Sequence, residues 1–154
     1  WAVSLSPGLS AFALDNAWRP EVAAAANLSG TTIIDVSDPG KAASAIEYAR
    51  AQGAQHVTAW GTAESAADAC SLAPLIDALL LTRPVYAPDA FVASATESWP
   101  ATMIQHGIRD DVATRWEDAE KRATVREYMA EHHVLTPAVA RQRIQDAAEF
   151  LRSA

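Results

Sequence analysis

Thr31-Thr32-Ile33-Ile34-Asp35-Val36, then Ser37-Asp38-Pro39-Gly40-Lys41, an alanine-rich run to Gly53, and Gln55-His56-Val57-Thr58-Ala59-Trp60-Gly61 form the stretch that decides the fold class. Its first piece is β-branched and apolar on both faces except at Asp35, the pattern of a strand covered on both sides. Ser37 or Asp38 is suited to cap a helix that has Pro39 at its first position. Ala42, Ala45, Ile46 and Ala49 recur at helical spacing, and Gly53 supplies a left-handed stop. Residues 56–60 then read as a second strand. A strand, helix and strand in about thirty residues form a right-handed parallel crossover.

Upstream, residues 1–5 alternate as a short strand ended by Pro7-Gly8. Residues 9–20 mix helical turns with turn formers around Trp18, and Pro20 opens a short helix over 21–27 that Asn27 or Gly30 ends. Downstream, Thr62 and Glu64 open a helix carrying Ala63, Ala66, Ala67 and Cys70. Pro74 restarts a helix through Leu81 with Leu75, Ile76, Leu79 and Leu80 in the core. Residues 85–87 read as a short strand between prolines, and Asp89 is suited to cap whatever follows. Past Pro100 the sequence reads as helices over 101–108 and 110–132, with Glu117–Lys121 and Asp118–Arg122 pairs outside. A last helix buries Ala140, Ile144, Ala147 and Leu151.

The expectation is a single α/β domain over 1–154, Rossmann-like but without a nucleotide fingerprint. A small, mostly parallel sheet of three or four strands flanked by helices fills residues 1–99, and a C-terminal helical hairpin in 100–154 packs on it.

Half of the 154 residues are hydrophobic and 20% are charged, enough for one real core. A formal charge of −7 argues against a nucleic-acid surface or an anionic membrane surface, which need clustered Lys and Arg. Cys70 is the one cysteine, so no intrachain disulfide forms, and a reducing, cytoplasmic setting fits. The start at Trp1 fits a fragment of a longer, secreted or anchored protein as well. No apolar run approaches the roughly 18 residues of a membrane helix, so membrane insertion is not expected in this segment.

Familiar chemistry is mostly excluded by spacing. Gly40-Lys41 lacks both the earlier glycine and the following Ser or Thr of a P-loop, and no Gly-x-Gly-x-x-Gly follows a strand. No Gly-x-Ser-x-Gly exists. Cys70 lies on an alanine face as an inert thiol, and His132 and His133, adjacent on a helix, point about 100° apart and cannot share a metal. Neither cofactor nor metal is expected.

A ligand in such a sheet sits at the carboxyl ends of the strands. The loops there bring Asp15, Asn16, Arg19, Asp38, Lys41, Thr62, Glu64 and Asp89 as candidate ligand-binding residues, with Asp38 and Thr62 suited first to helix capping. Two functional expectations follow. The first is a non-enzymatic interaction module that meets a protein partner, or the rest of a longer bacterial chain, through the hairpin and loops carrying Trp18 and Trp99. The alternative is a small enzyme that binds a polar or phosphorylated small molecule at the strand ends.

Overall fold

The computed structural model describes residues 1–85, 91, 95, 97–108, 119, 121–130 and 136–154. Among them, six strands form one sheet in the order β2-β1-β3-β4-β5-β6, and every pairing is parallel. The strands are β1 (Ala2–Leu5), β2 (Ile33–Val36), β3 (Thr58–Thr62), β4 (Ala78–Thr82), β5 (Ala101–Gly107) and β6 (Thr124–Tyr128). The helices are α1 (Ala11–Ala13), α2 (Arg19–Ser29), α3 (Ala42–Ala51), α4 (Ala66–Ser71) and α5 (Pro137–Ser153).

Alternation along each strand divides the core in two. Val3, Leu5, Ala59, Leu79, Leu81 and Ile104 face α3 and α4, while Ala2, Trp60, Leu80 and Met103 face α2 and α5. The sheet is thus a middle layer with helices on both sides, as parallel strands require. The capping chemistry of the opening stretch is present: the Asp38 carboxylate accepts the Gly40 amide at 3.0 Å, and Gly53 takes a positive φ of 90°. Gly30 ends α2 in the left-handed region with φ 71°. A π-helical turn (Leu14–Trp18) joins α1 to α2, so the turn formers around Trp18 do not break the helix.

Three expectations are corrected. The sheet has six strands, not three or four. Residues 78–82 are β4 rather than helix, because an apolar run buried on both faces has no period to separate the two. Residues 101–107 are β5 and residues 124–128 are β6, so the C-terminal third supplies two strands and α5 in place of a helical hairpin. β2 is packed on both faces, Ile33 on one and Ile34 and Val36 on the other, but it lies at the sheet edge and its apolar residues are only half-buried. Glu117, Asp118, His132 and His133 lie outside the described residues, as do Tyr86 and Ala87 of the strand expected at 85–87; Val85 itself is in no strand.

A buried polar row crosses four strands on the α2/α5 face. Trp60 Nε1 donates to Thr82 Oγ1 at 2.9 Å, and Thr82 Oγ1 donates to Gln105 Oε1 at 3.0 Å. Gln105 Nε2 donates to Tyr128 Oη (3.0 Å) and to the Arg143 carbonyl (2.9 Å). Tyr128 Oη donates to Asp146 at 2.6 Å; burial first, then Asp146, raise its pKa well above the ordinary phenol value and keep it a donor. Nearby, Arg143 of α5 is buried and pairs with Glu21 of α2 at 2.6 Å, tying the two helices that cover this face.

Candidate functional site

β1 lies between β2 and β3, so the chain leaves β1 toward one side of the sheet and later returns on the other. The loops that diverge at such a switch leave a crevice at the carboxyl ends of the strands. Here it is a cavity of about 280 Å³ lined from β1 by Ser6, Pro7 and Leu9, from β2 by Ser37 and Pro39, and from β3 by Glu64, Ser65 and Asp68. Among the described residues its lining carries two carboxylates and two serine hydroxyls besides Ser65, and no Lys or Arg.

The wall from β3 is an unusually tight turn. Ala63, the residue after the strand, has φ 51°, in the left-handed region that costs a residue with a Cβ about 1–2 kcal/mol. The chain passes there from β3 into a 3₁₀ turn (Ala63–Ser65) and then α4. Gly61 lets the helix approach: a Cβ at that position would lie 2.6 Å from Ala69 Cβ and 2.8 Å from Ala66 Cα. Ser65 fastens the turn from inside. Its Oγ accepts the Thr62 amide at 2.9 Å and shares its proton between the Leu5 and Thr62 carbonyls, both at 2.9 Å. The Ala63 carbonyl accepts the Val85 amide at 3.1 Å. This turn is therefore tied to β1 and to the loop after β4.

The expected site residues are only partly brought together. Glu64 lines the cavity. Thr62 is buried behind it, with no hydrogen bond to its Oγ1 among the described residues. Asp38 caps the turn before α3, and Lys41 is exposed at the end of that turn. Asp15 pairs with Arg19 on the helix surface, Asn16 Nδ2 donates to the Phe12 carbonyl at 2.8 Å, and Arg19 lines a different groove beside α2. Asp89 lies outside the described residues. Ser6, Ser37, Ser65, Asp68 and the backbone of Ala63 were missed. The available signal was the spacing Gly61-Thr62-Ala63-Glu64-Ser65, a glycine two residues before a turn tip.

Cys70 is buried on α4, and burial pushes its thiol up to about 12, which removes it as a nucleophile at neutral pH. Trp18, expected as a loop contact, is buried: it meets Trp60 edge-on at 5.2 Å between ring centres and donates to Asp35 at 3.0 Å. Trp99 packs edge-on against Phe91 at 5.9 Å.

No family model and no curated protein matches the chain. Solved structures do. A Pyrococcus furiosus esterase is similar with a TM-score of 0.74 at 11% identity, over 99% of this chain and 81% of that one. The esterase domain of a Rhodothermus marinus protein is similar with a TM-score of 0.71 at 11% identity, over 99% and 85%. An α/β serine hydrolase homologue from Coxiella burnetii gives 0.63 at 12%, over 99% and 83%. The chain has the fold of these α/β hydrolases. That likeness overturns the expectation of a non-enzymatic interaction module, since the neighbours are esterases and hydrolases.

In this fold a Gly-x-Ser-x-Gly elbow holds a nucleophilic serine at a strained strand-to-helix turn. The turn after β3 has that geometry, with a glycine two residues before the tip. The tip is Ala63, and a serine replaces the closing glycine. A methyl group has no lone pair, so residue 63 cannot form an acyl-enzyme.

Proposed function

We propose that the chain is a hydrolytic enzyme for a small polar molecule held at the carboxyl ends of β1, β2 and β3, and that its step runs without a covalent bond to residue 63. The observation that carries this reading is the strained, tightly packed elbow at Ala63, whose next residues, Glu64 and Ser65, line the cavity. The fold likeness supports hydrolysis as the reaction class, and the alanine selects direct attack by water. Water adds to the electrophilic carbon, one of its protons passes to a carboxylate, and the carboxylic acid so formed gives that proton to the leaving group as its bond to carbon breaks. Glu64, the lining carboxylate adjoining the tip, takes the role of base, and its backbone N–H takes the place where such elbows supply an oxyanion donor. In chain order, Asp110 and then His132 and His133 follow the elbow as acid and histidine do in this fold, and all three lie outside the described residues. The two carboxylates of the lining, with no Lys or Arg beside them among the described residues, favour a neutral or cationic substrate over a phosphorylated one.

The test is a panel of p-nitrophenyl esters and amine-bearing esters, followed with and without a fluorophosphonate probe. The wild type is expected to turn over at least one ester with no burst and no labelling, and Glu64→Gln to slow it by about 10²-fold or more. Ala63→Ser is expected to become labelled at residue 63. A burst with covalent labelling of the wild type overturns the water mechanism, and failure of every ester overturns the hydrolytic reading.

A further inference from the structure

At the carboxyl ends of β4, β5 and β6 lies a second cavity, of about 10 Å³, which shares no lining residue with the crevice beside Glu64. It is lined by Arg83 after β4, by Gln105, His106 and Gly107 of β5, by Tyr128 and Ala130 at the end of β6, and by Arg143 of α5. A Cβ on Gly107 would collide with the Ala130 carbonyl, so the missing side chain lets the two strand ends close together here. A space of this size admits one water-sized or monatomic occupant and nothing larger. The walls decide what that occupant must do. Gln105 Nε2 gives its two protons to Tyr128 Oη and the Arg143 carbonyl, and Tyr128 gives its own to Asp146. Arg143 is not so satisfied. It is 3% exposed, its Nη2 meets Glu21 at 2.6 Å, and its Nε and Nη1 have no acceptor among the described residues. A guanidinium keeps its charge and all its donors, and buried donors without an acceptor are strongly disfavoured. We propose that one halide ion, chloride in ordinary buffers, occupies this cavity and accepts the Arg143 Nε–H and Nη1–H groups.

The walls favour an anion over water. They carry two guanidinium groups and an imidazole and, among the described residues, no carboxylate. Three acids on neighbouring elements act on other atoms: Glu21 on Arg143 Nη2, Asp146 on Tyr128 Oη, and Glu127 at 3.3 Å from His106 Nε2. A water that accepted both Arg143 groups would still have two protons to place against positively charged walls. A halide only accepts, and its charge is opposite to theirs.

The test begins with the chain dialysed into sodium gluconate and titrated with sodium chloride, sodium bromide or sodium sulfate at constant ionic strength. The melting temperature is expected to rise saturably, by about 3 °C or more, with either halide and not with sulfate, which is too large for the cavity. Crystals soaked in bromide are expected to show an anomalous bromine peak within hydrogen-bonding reach of Arg143 Nε and Nη1. Arg143→Gln removes the donors, and Ala130→Val fills the cavity while keeping Arg143 and its pairing with Glu21. Each is expected to weaken halide binding about tenfold or more. If Arg143→Gln fails to fold, Ala130→Val and the bromide position still decide. A water where the bromine peak should stand, a rise that follows ionic strength whatever the anion, or an unchanged halide response in the folded variants each overturns the proposal.

Discussion

Ala63 and Arg83 each stand one residue beyond the paired Thr62 and Thr82, and both take left-handed backbone, with φ of 51° and 48°. Two neighbouring strands therefore end in the same strained conformation. The Arg83 amide is held by the Gln105 carbonyl at 2.7 Å, and the Ala63 carbonyl by the Val85 amide. Ala63→Gly removes the Cβ conflict, so it is expected to raise the unfolding free energy by about 0.5–1 kcal/mol in urea denaturation. A loss of stability on this change would show that packing of the methyl group outweighs the strain.

Gly61 and Gly30 separate two reasons for glycine. Gly61 is required by crowding against α4, whereas Gly30 has φ 71° and nothing within 4 Å of a built Cβ. Gly61→Ala is expected to cost about 1–3 kcal/mol by overpacking and to disturb the elbow. Gly30→Ala is expected to cost about 1 kcal/mol through backbone strain alone and to leave ester turnover intact. Denaturation curves and turnover rates of both variants, taken together, decide this.

Cys70 gives a chemical readout of opening. With its thiol buried and pushed up to about 12, it is expected to resist a disulfide-exchange reagent at pH 8 in the native chain and to react stoichiometrically in urea. Rapid reaction of the native protein would contradict the burial.

Asp77 sets an acid limb on stability. Burial pushes its carboxyl up, but the Val57 amide at 2.8 Å and Arg50 at 2.5 Å outweigh this and hold it below the usual aspartate value. A depressed folded pKa means the stabilisation is present above the unfolded value of about 3.9 and is lost as pH falls through the folded one. Asp77→Asn is expected to lower stability at neutral pH and to flatten the fall below about pH 4. Since the pair is half-exposed, its electrostatic part is about 1 kcal/mol or less. Melting temperatures of both proteins between pH 3 and 7 check this.

The first eighty residues were legible where a residue type had one local job. Asp38, Pro39, Gly30 and Gly53 are cap and stop residues whose effects act within a turn, and each stands where its chemistry placed it. The β4 to β6 region was not, because Leu79 to Leu81 satisfy a buried helix and a two-sided strand equally, and residues 124–128 fall inside a stretch that reads as one long helix when they form the edge strand carrying Arg126 and Glu127. Of the site, Glu64 was legible from its loop. The elbow was not, since its identity lies in the φ of Ala63, and a search for a serine at the tip passes over an alanine.

The polar row through Trp60, Thr82, Gln105 and Tyr128 has a bearing on how the strands find their alignment. β3 and β4 are buried at every position, so sliding either strand by one residue moves apolar groups between two equally apolar faces and meets little hydrophobic resistance. The same slip would carry Thr82 or Gln105 to the opposite face and strand its partners without acceptors or donors, at about 1–3 kcal/mol for each group left unmatched. These few hydroxyl and amide groups thus act as an indexing mark, giving an otherwise featureless apolar sheet a single permitted alignment.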